Sequence, residues 1–238
     1  MKIAILNYTG TVGKTTIAAH LLSPRMTDAE VFAVETINET AEGLGVSVES
    51  IRGDKFRDLF KKLLILDDAI IDVGASNIED FLNGLLRFES SSIEIDLFLV
   101  PVTHGTKEQS ETIKFVKTLN SIGVPQEKIH IIFNRVNADS EIEFLPIFNF
   151  SNREKLCLVH PDASIYENEV FDLASMKRMT IAAILDDEND YKALIKELGK
   201  DGDKKLLSHY SDMHAMKALA KTVSRNLDKV FQVVTGIA

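Results

Sequence analysis

Lys2-Ile3-Ala4-Ile5-Leu6-Asn7-Tyr8-Thr9-Gly10-Thr11-Val12-Gly13-Lys14-Thr15-Thr16-Ile17-Ala18 joins a short apolar run to a glycine-bearing loop and then to a segment of helical apolar spacing. An unbroken apolar run of this length suits a strand buried on both faces. Gly10 and Gly13 allow the backbone after it to curl tightly. A chain of phosphates carries several negative charges, so a site for it needs converging backbone N–H groups, a helix start and a cation. Gly13-Lys14-Thr15-Thr16 supplies these parts in the strand–loop–helix context that gives such a motif meaning. Gly10, Thr11, Val12 and Gly13 would wrap the phosphates, Lys14 would reach the β and γ oxygens, the Thr15 hydroxyl would ligate magnesium, and Thr16 would touch the α-phosphate. The plainer reading, a tight turn before a capped helix, leaves the other motifs below unexplained.

Working outward from the loop, branched apolar runs recur at Lys2 to Leu6, Val31 to Val34, Leu63 to Ile71, Ile95 to Val102, Ile129 to Phe133 and Leu156 to Val159. Between them Lys14 to Leu22, Asn77 to Phe88 and Lys107 to Ser121 have helical spacing. Strands alternating with helices predict an α/β fold, a doubly wound and mainly parallel sheet flanked by helices. With 238 residues and 45% hydrophobic content the chain can build a sizeable core, and one domain over 1–238 is the expectation. Gly199 to Asp203 reads as a turn before a final helix at about 204–235.

Composition narrows the function classes. Cys157 is the only cysteine, which excludes an internal disulfide and a cysteine-clustered zinc site and fits a reducing compartment. Met1 to Leu6 meets Asn7 and the glycine loop at once, unlike a signal peptide, and a soluble, cytoplasmic protein is the expectation. The six histidines form no metal-binding spacing, and no Gly-x-Ser-x-Gly elbow is present. A net charge of −9 argues against coating nucleic acid with the whole surface. Residues 190–238 nevertheless hold nine basic side chains against six acidic ones, the one basic region of the chain.

The loop resembles the deviant Walker A motif of the ParA/MinD family of ATPases, Lys-Gly-Gly-x-Gly-Lys-Thr-Thr, aligned with Thr9-Gly10-Thr11-Val12-Gly13-Lys14-Thr15-Thr16 here. Thr9 takes the place of the family's signature lysine, which reaches across a nucleotide-sandwich dimer, and Tyr8 takes the place of the usual first glycine. Asn7 to Ala18 is also similar to the plasmid stability proteins of the StbB type, found beside small DNA-binding partners. The resemblance, which runs from Met1 to about Glu169, implies a P-loop ATPase that uses ATP and Mg2+, forms a nucleotide-dependent homodimer and meets a small DNA-binding partner protein.

Nucleotide hydrolysis is chiefly positioning and charge stabilisation, so a magnesium-side carboxylate and a γ-phosphate sensor should accompany the loop. Ala69-Ile70-Ile71-Asp72-Val73-Gly74 offers Asp72 at a strand end for a magnesium-bound water and the Gly74 N–H for the γ-phosphate; the alternative is that Asp72 caps a turn. Val31-Phe32-Ala33-Val34-Glu35 resembles the family's second strand, which makes Glu35 the candidate for attacking-water geometry, with Asn38 and Glu39 as reserves. Ile131-Ile132-Phe133-Asn134-Arg135 resembles the strand end whose Asn reads the base; an amide both donates and accepts, as a purine edge requires, though Asn134 can equally be a turn residue. A guanine-reading Asn-Lys-x-Asp would need an aspartate where Asn137 stands, which favours ATP. Leu158-Val159-His160-Pro161-Asp162 resembles the strand and proline loop that wall the adenine, with Pro161 against the base.

Met216, Leu219, Ala220, Val223, Leu227, Val230 and Val234 recur at helical spacing with Lys217, Lys221, Arg225 and Lys229 opposite. Such a basic face is either simply solvated or a contact for nonspecific DNA; the lack of Trp and of repeated Phe disfavours a membrane. Three function readings follow: a ParA/MinD-like switch ATPase in plasmid stability, partition or positioning, with a link to conjugation; a small-molecule kinase or ligase of the dethiobiotin synthetase type; and a nucleotide-binding scaffold with negligible hydrolysis.

Overall fold

A computed structural model describes residues 1–35, 41–88, 92–200 and 202–237. Its centre is a sheet of seven strands, β1 (Lys2–Ile5), β2 (Glu30–Val34), β3 (Glu49–Ile51), β4 (Ala69–Val73), β5 (Leu97–Val102), β6 (Ile129–Val136) and β7 (Ser164–Tyr166), in the order β3-β2-β4-β1-β5-β6-β7. Every pairing is parallel. The helices are α1 (Lys14–Thr16), α2 (Phe56–Leu63), α3 (Ile78–Arg87), α4 (Thr106–Ser121), α5 (Ser140–Glu143), α6 (Leu145–Glu154), α7 (Val170–Lys177), α8 (Ile181–Asp186), α9 (Tyr191–Leu198) and α10 (Lys204–Thr235).

Side chains alternate across the sheet, so the two faces feed two cores. Ala4, Leu6, Ile71 and Val73 join Phe56 of α2, Phe81 of α3, Phe115 of α4 and Phe150 of α6. Ile3, Ile5, Ile70 and Ile132 join Leu21, Val170 of α7, Ile184 of α8 and Met216 and Leu227 of α10. The doubly wound α/β expectation therefore holds. The chain leaves β1 for β2 and β3 on one side, returns to β4, then crosses β1 to build β5, β6 and β7 on the other. Ligands of open parallel sheets bind beyond the carboxyl ends of the strands at such a reversal.

Three expectations change in detail. The run from Leu63 begins as helix: Phe56, Leu59 and Leu63 share one buried face of α2, and β4 starts only at Ala69. Leu156 to Val159 is not a strand. Leu158 makes an isolated bridge to His130, the backbone turns at His160–Ala163, and β7 follows at Ser164. Pro161, which has no N–H to give, interrupts what would otherwise be one edge strand. The helix from Lys14 is α-helical for Lys14–Thr16 and then π-helical over Ile17–Leu22. Its last carbonyls are not left bare: Arg25 donates to the carbonyls of His20 and Leu21 at 3.0 Å each, and pairs with Asp228 of α10 at 2.6 Å.

Both edge strands are three residues long, which limits the unpaired backbone they present. At β7 the exposed edge is further covered by Asn226 of α10, whose Nδ2 donates to the Ser164 carbonyl at 2.9 Å and whose Oδ1 accepts from the Tyr166 N–H at 3.4 Å. The helix α10 buries Met216, Ala220, Val223, Leu227, Val230 and Val234, as their spacing requires. Its basic stripe is partly committed within the chain: Lys217 donates to the carbonyls of Asp187 and Asn189, and Lys229 pairs with Asp162 at 2.7 Å. Lys221 and Arg225 are exposed.

Gly84 of α3 faces α2 so closely that an added Cβ would lie 2.2 Å from the Phe56 ring. Gly84→Ala is therefore expected to destabilise the protein by roughly 1–3 kcal/mol despite alanine's better helix propensity, read as a lower urea midpoint at unchanged slope.

Candidate functional site

The register of β1 with β4 sets Ile5 opposite Asp72, and β2 pairs with β4 so that Ala33 lies opposite Asp72. The loop after β1, Asp72 and Glu35 thus meet at one edge of the sheet. They border a cleft of about 1360 Å³ lined also by Asn134, Tyr166, Phe171 and Arg178.

Gly13 has φ +86°, a conformation side chains rarely adopt, and begins α1. The Thr15 hydroxyl donates to Asp72 Oδ2 at 2.7 Å, while Asp72 Oδ1 is buried with no hydrogen-bond partner among the described residues. Burial pushes the Asp72 carboxyl up to about 6, against the opposing pull of the Thr15 hydrogen bond and the Lys14 charge. An unsatisfied, buried carboxylate oxygen beside a hydroxyl is a set of hard oxygen donors that suits magnesium. Among the described residues no group of three or more His, Cys, Asp or Glu could hold a metal.

Lys14 is buried, and its ammonium turns back onto the loop, donating to the carbonyls of Thr9 at 2.8 Å and Asn7 at 3.3 Å. Burial lowers its pKa, and the charges of Asp72 and Glu35 oppose that shift. Glu35 Oε1 accepts from Ser76 Oγ at 3.1 Å and Asn77 Nδ2 at 3.2 Å, which brings the carboxylate to the turn that follows β4. A Cβ added at Gly74 would meet Glu35 Oε2 at 1.7 Å, so a side chain there would require the Glu35 carboxylate to move.

The structure places most of the residues expected from sequence around this cleft: Gly10, Thr11, Gly13, Lys14, Thr15, Thr16, Glu35, Asp72, Gly74, Asn134 and Arg135 all line it. Val12 is wholly buried and faces away from it. For three of the expected residues the structure adds particulars. The Gly74 N–H, expected at a γ-phosphate, donates to the Val34 carbonyl at 3.0 Å as part of the β2–β4 pairing. Pro161 is outside the lining; the wall there is Tyr166, Glu167 and Asn168, because the proline turn comes before β7 and the chain reaches the cleft only at its end. Asn134, expected at the base, donates through Nδ2 to the Val12 carbonyl at 2.8 Å. Asn38 and Glu39 lie outside the described residues.

Sequence reasoning missed several contributors. Asn7 is fully buried and donates to the Pro101 carbonyl and Thr112 Oγ1 at 2.8 Å each, which ties the loop to β5 and α4; a polar residue ending an apolar run was the available signal. Thr9 Oγ1 donates to Glu111 Oε2 at 2.7 Å, and Tyr8 stands edge-on to Phe115 at 4.8 Å. Nothing local announces Glu111. His20 is buried, accepts the Ile181 N–H on Nδ1 at 3.2 Å and meets the Phe171 ring at 5.6 Å.

No protein-family model and no curated protein matches the chain. Solved structures do. The MinD cell division protein of Aquifex aeolicus superposes with a TM-score of 0.58 at 13% identity, over 100% of this chain and 97% of that one. The cell division ATPase MinD of Pyrococcus furiosus gives 0.54 at 17% identity, over 91% and 99%. The Aquifex aeolicus MinC:MinD cell division protein complex gives 0.53 at 13% identity, over 100% and 96%. The chain has the MinD fold. At these identities the likeness is one of architecture, and it matches the seven-stranded parallel sheet described above.

Burial holds the His20 imidazole down at about 4, below its ordinary 6.5, so the folded chain keeps it neutral between these values. Between these values the unfolded chain binds the extra proton, and stability rises with pH in that window. Acidification from pH 6.5 to about 4 should therefore remove up to about 3 kcal/mol through this residue. His20→Gln should flatten that part of a denaturant-stability profile measured against pH.

Proposed function

We propose that the chain is a ParA/MinD-like P-loop ATPase that binds ATP with Mg2+ and acts as a nucleotide-dependent switch. The observation that carries this reading is the contact of Thr15 with Asp72 beside the unpartnered Asp72 Oδ1, beneath a loop that curls through Gly13. The 1360 Å³ cleft is ample for a nucleotide, since ligand pockets run to about 300–1,000 Å³.

In this reading Thr15 and Asp72 would hold the magnesium, which would supply positive charge to offset that of the phosphates. Lys14 leaves the carbonyls of Asn7 and Thr9 and reaches the same oxygens. Glu35, steadied by Ser76 and Asn77, would orient the attacking water. The Gly74 N–H, held by the Val34 carbonyl, ties the turn after β4 to the end of β2 beside Glu35. A nucleotide drives such a switch only by favouring one arrangement over the other.

The finer proposal is a role in plasmid stability, partition or positioning of the StbB type, in the cytoplasm, with a homodimer and a small DNA-binding partner. It rests on the sequence from Asn7 to Ala18. Support for a protein partner comes from the fold, which in MinD of Aquifex aeolicus is found in complex with MinC. Among the described residues no helix is long and apolar enough to cross a membrane. For nonspecific DNA, Lys221 and Arg225 are the side chains of α10 best placed. A second reading, a scaffold with negligible hydrolysis, is favoured by one observation: the signature-lysine position holds Thr9, and its hydroxyl is engaged by Glu111 of the same chain.

Lys14→Ala removes the only ammonium at the loop. It should weaken ATP binding about 10- to 100-fold, as expected for loss of a charged hydrogen-bond donor, and bring phosphate release to background while circular dichroism stays native. Wild-type affinity and turnover in that variant would refute the assignment. Phosphate release measured with and without DNA and a partner separates the switch from the scaffold, and turnover only with a small acceptor would point to a kinase.

A further inference from the structure

A loop that binds an anion through its N–H groups must turn its carbonyls the other way, and a carbonyl turned into the protein needs a donor there. The Val12 carbonyl is in that position. Val12 is fully buried, and its oxygen accepts from Asn134 Nδ2 at 2.8 Å. Asn134 is itself nearly buried, on the face of β6 that it shares with Ile132, toward the loop. The fit extends to the next residue: a Cβ on Gly13 would lie 2.2 Å from the same Nδ2.

A trans peptide unit is planar, with its C=O and N–H antiparallel. Holding the Val12 oxygen toward β6 therefore aims the Gly13 N–H in the opposite direction, into the curl of the loop. The packed amide leaves no room for a side chain at Gly13, and the left-handed backbone there is one that glycine adopts freely.

We propose that Asn134 is a positioning residue of the phosphate loop: by pinning the Val12 carbonyl it presents the Gly13 N–H to the phosphates, whatever base they carry. The inference rests on the nucleotide-binding reading above and departs from a base-reading amide. The neighbouring geometry supports it. The register of β6 with β7 shifts between Asn134 and Val136, and Arg135 takes φ +57°. This irregularity comes just after Asn134, so Asn134 keeps its regular pairing with Ile165 and its place against the loop.

The test compares wild type with Asn134→Ala and Asn134→Asp, which lack the donor, using ATP, GTP and inorganic tripolyphosphate, each with magnesium, by calorimetry. Loss of about tenfold for all three ligands, with the ATP-to-GTP ratio unchanged and the urea midpoint near wild type, is the expected result. Unchanged tripolyphosphate affinity, or an altered ratio between the bases, overturns the proposal, as does wild-type affinity throughout. A second measurement covers variants that fail to fold: in nucleotide-free wild type, labelled with nitrogen-15, one Asn134 side-chain amide proton should exchange slowly with solvent. Fast exchange that slows only when ATP is added overturns the proposal. If wild type binds none of the three ligands, the nucleotide reading itself fails, while the amide-exchange result still decides whether Asn134 holds the loop.

Discussion

The parallel pairing of β1 with β4 is the constraint from which the site follows. With Ile5 opposite Asp72, a loop leaving β1 must turn over the carboxylate at the end of β4, and Thr15 comes within hydrogen-bond distance of it. Both strands are buried on both faces, so neither can slip without moving its apolar side chains out of two cores at once. The apolar sandwich thereby holds a carboxylate where water cannot solvate it. The carboxyl's pKa, raised to about 6, and its unpartnered oxygen are two expressions of that confinement.

Around that point the loop satisfies its polar groups internally. Asn7 ties it to β5 and α4, Asn134 pairs the Val12 carbonyl, and Lys14 folds onto the carbonyls of Asn7 and Thr9. The ammonium is thus held by neutral acceptors, which an anionic oxygen would outcompete through charge. Beyond the loop, Arg25 joins the end of the π-helical segment to Asp228, giving a direct polar link between the helix that follows Gly13 and α10.

Much of the architecture was legible because its signals are local. Apolar runs without alternation marked β1, β2, β5 and β6, and the glycine loop between strand and helix marked the site. The spacing from Met216 to Val234 matches the buried face of α10. What escaped depends on contacts distant in sequence. The three-residue β3 and β7 have too few side chains to show a period, and Leu63 belongs to a helix whose face is evident only with Phe56 and Leu59. Thr9 could be seen to replace a lysine, but its partner Glu111 stands 102 residues away. Asn134 was found at the cleft by its strand-end position, yet its contact with Val12 is a matter of which face of β6 it occupies.

The central claim is that this loop and Asp72 together bind a triphosphate through magnesium. Titrating the wild-type chain with ATP in a calorimeter, with magnesium and then with the metal chelated, tests it most directly. The account predicts saturable heat at one nucleotide per chain that collapses without the metal. A folded protein giving no heat with any nucleoside triphosphate in magnesium would contradict it.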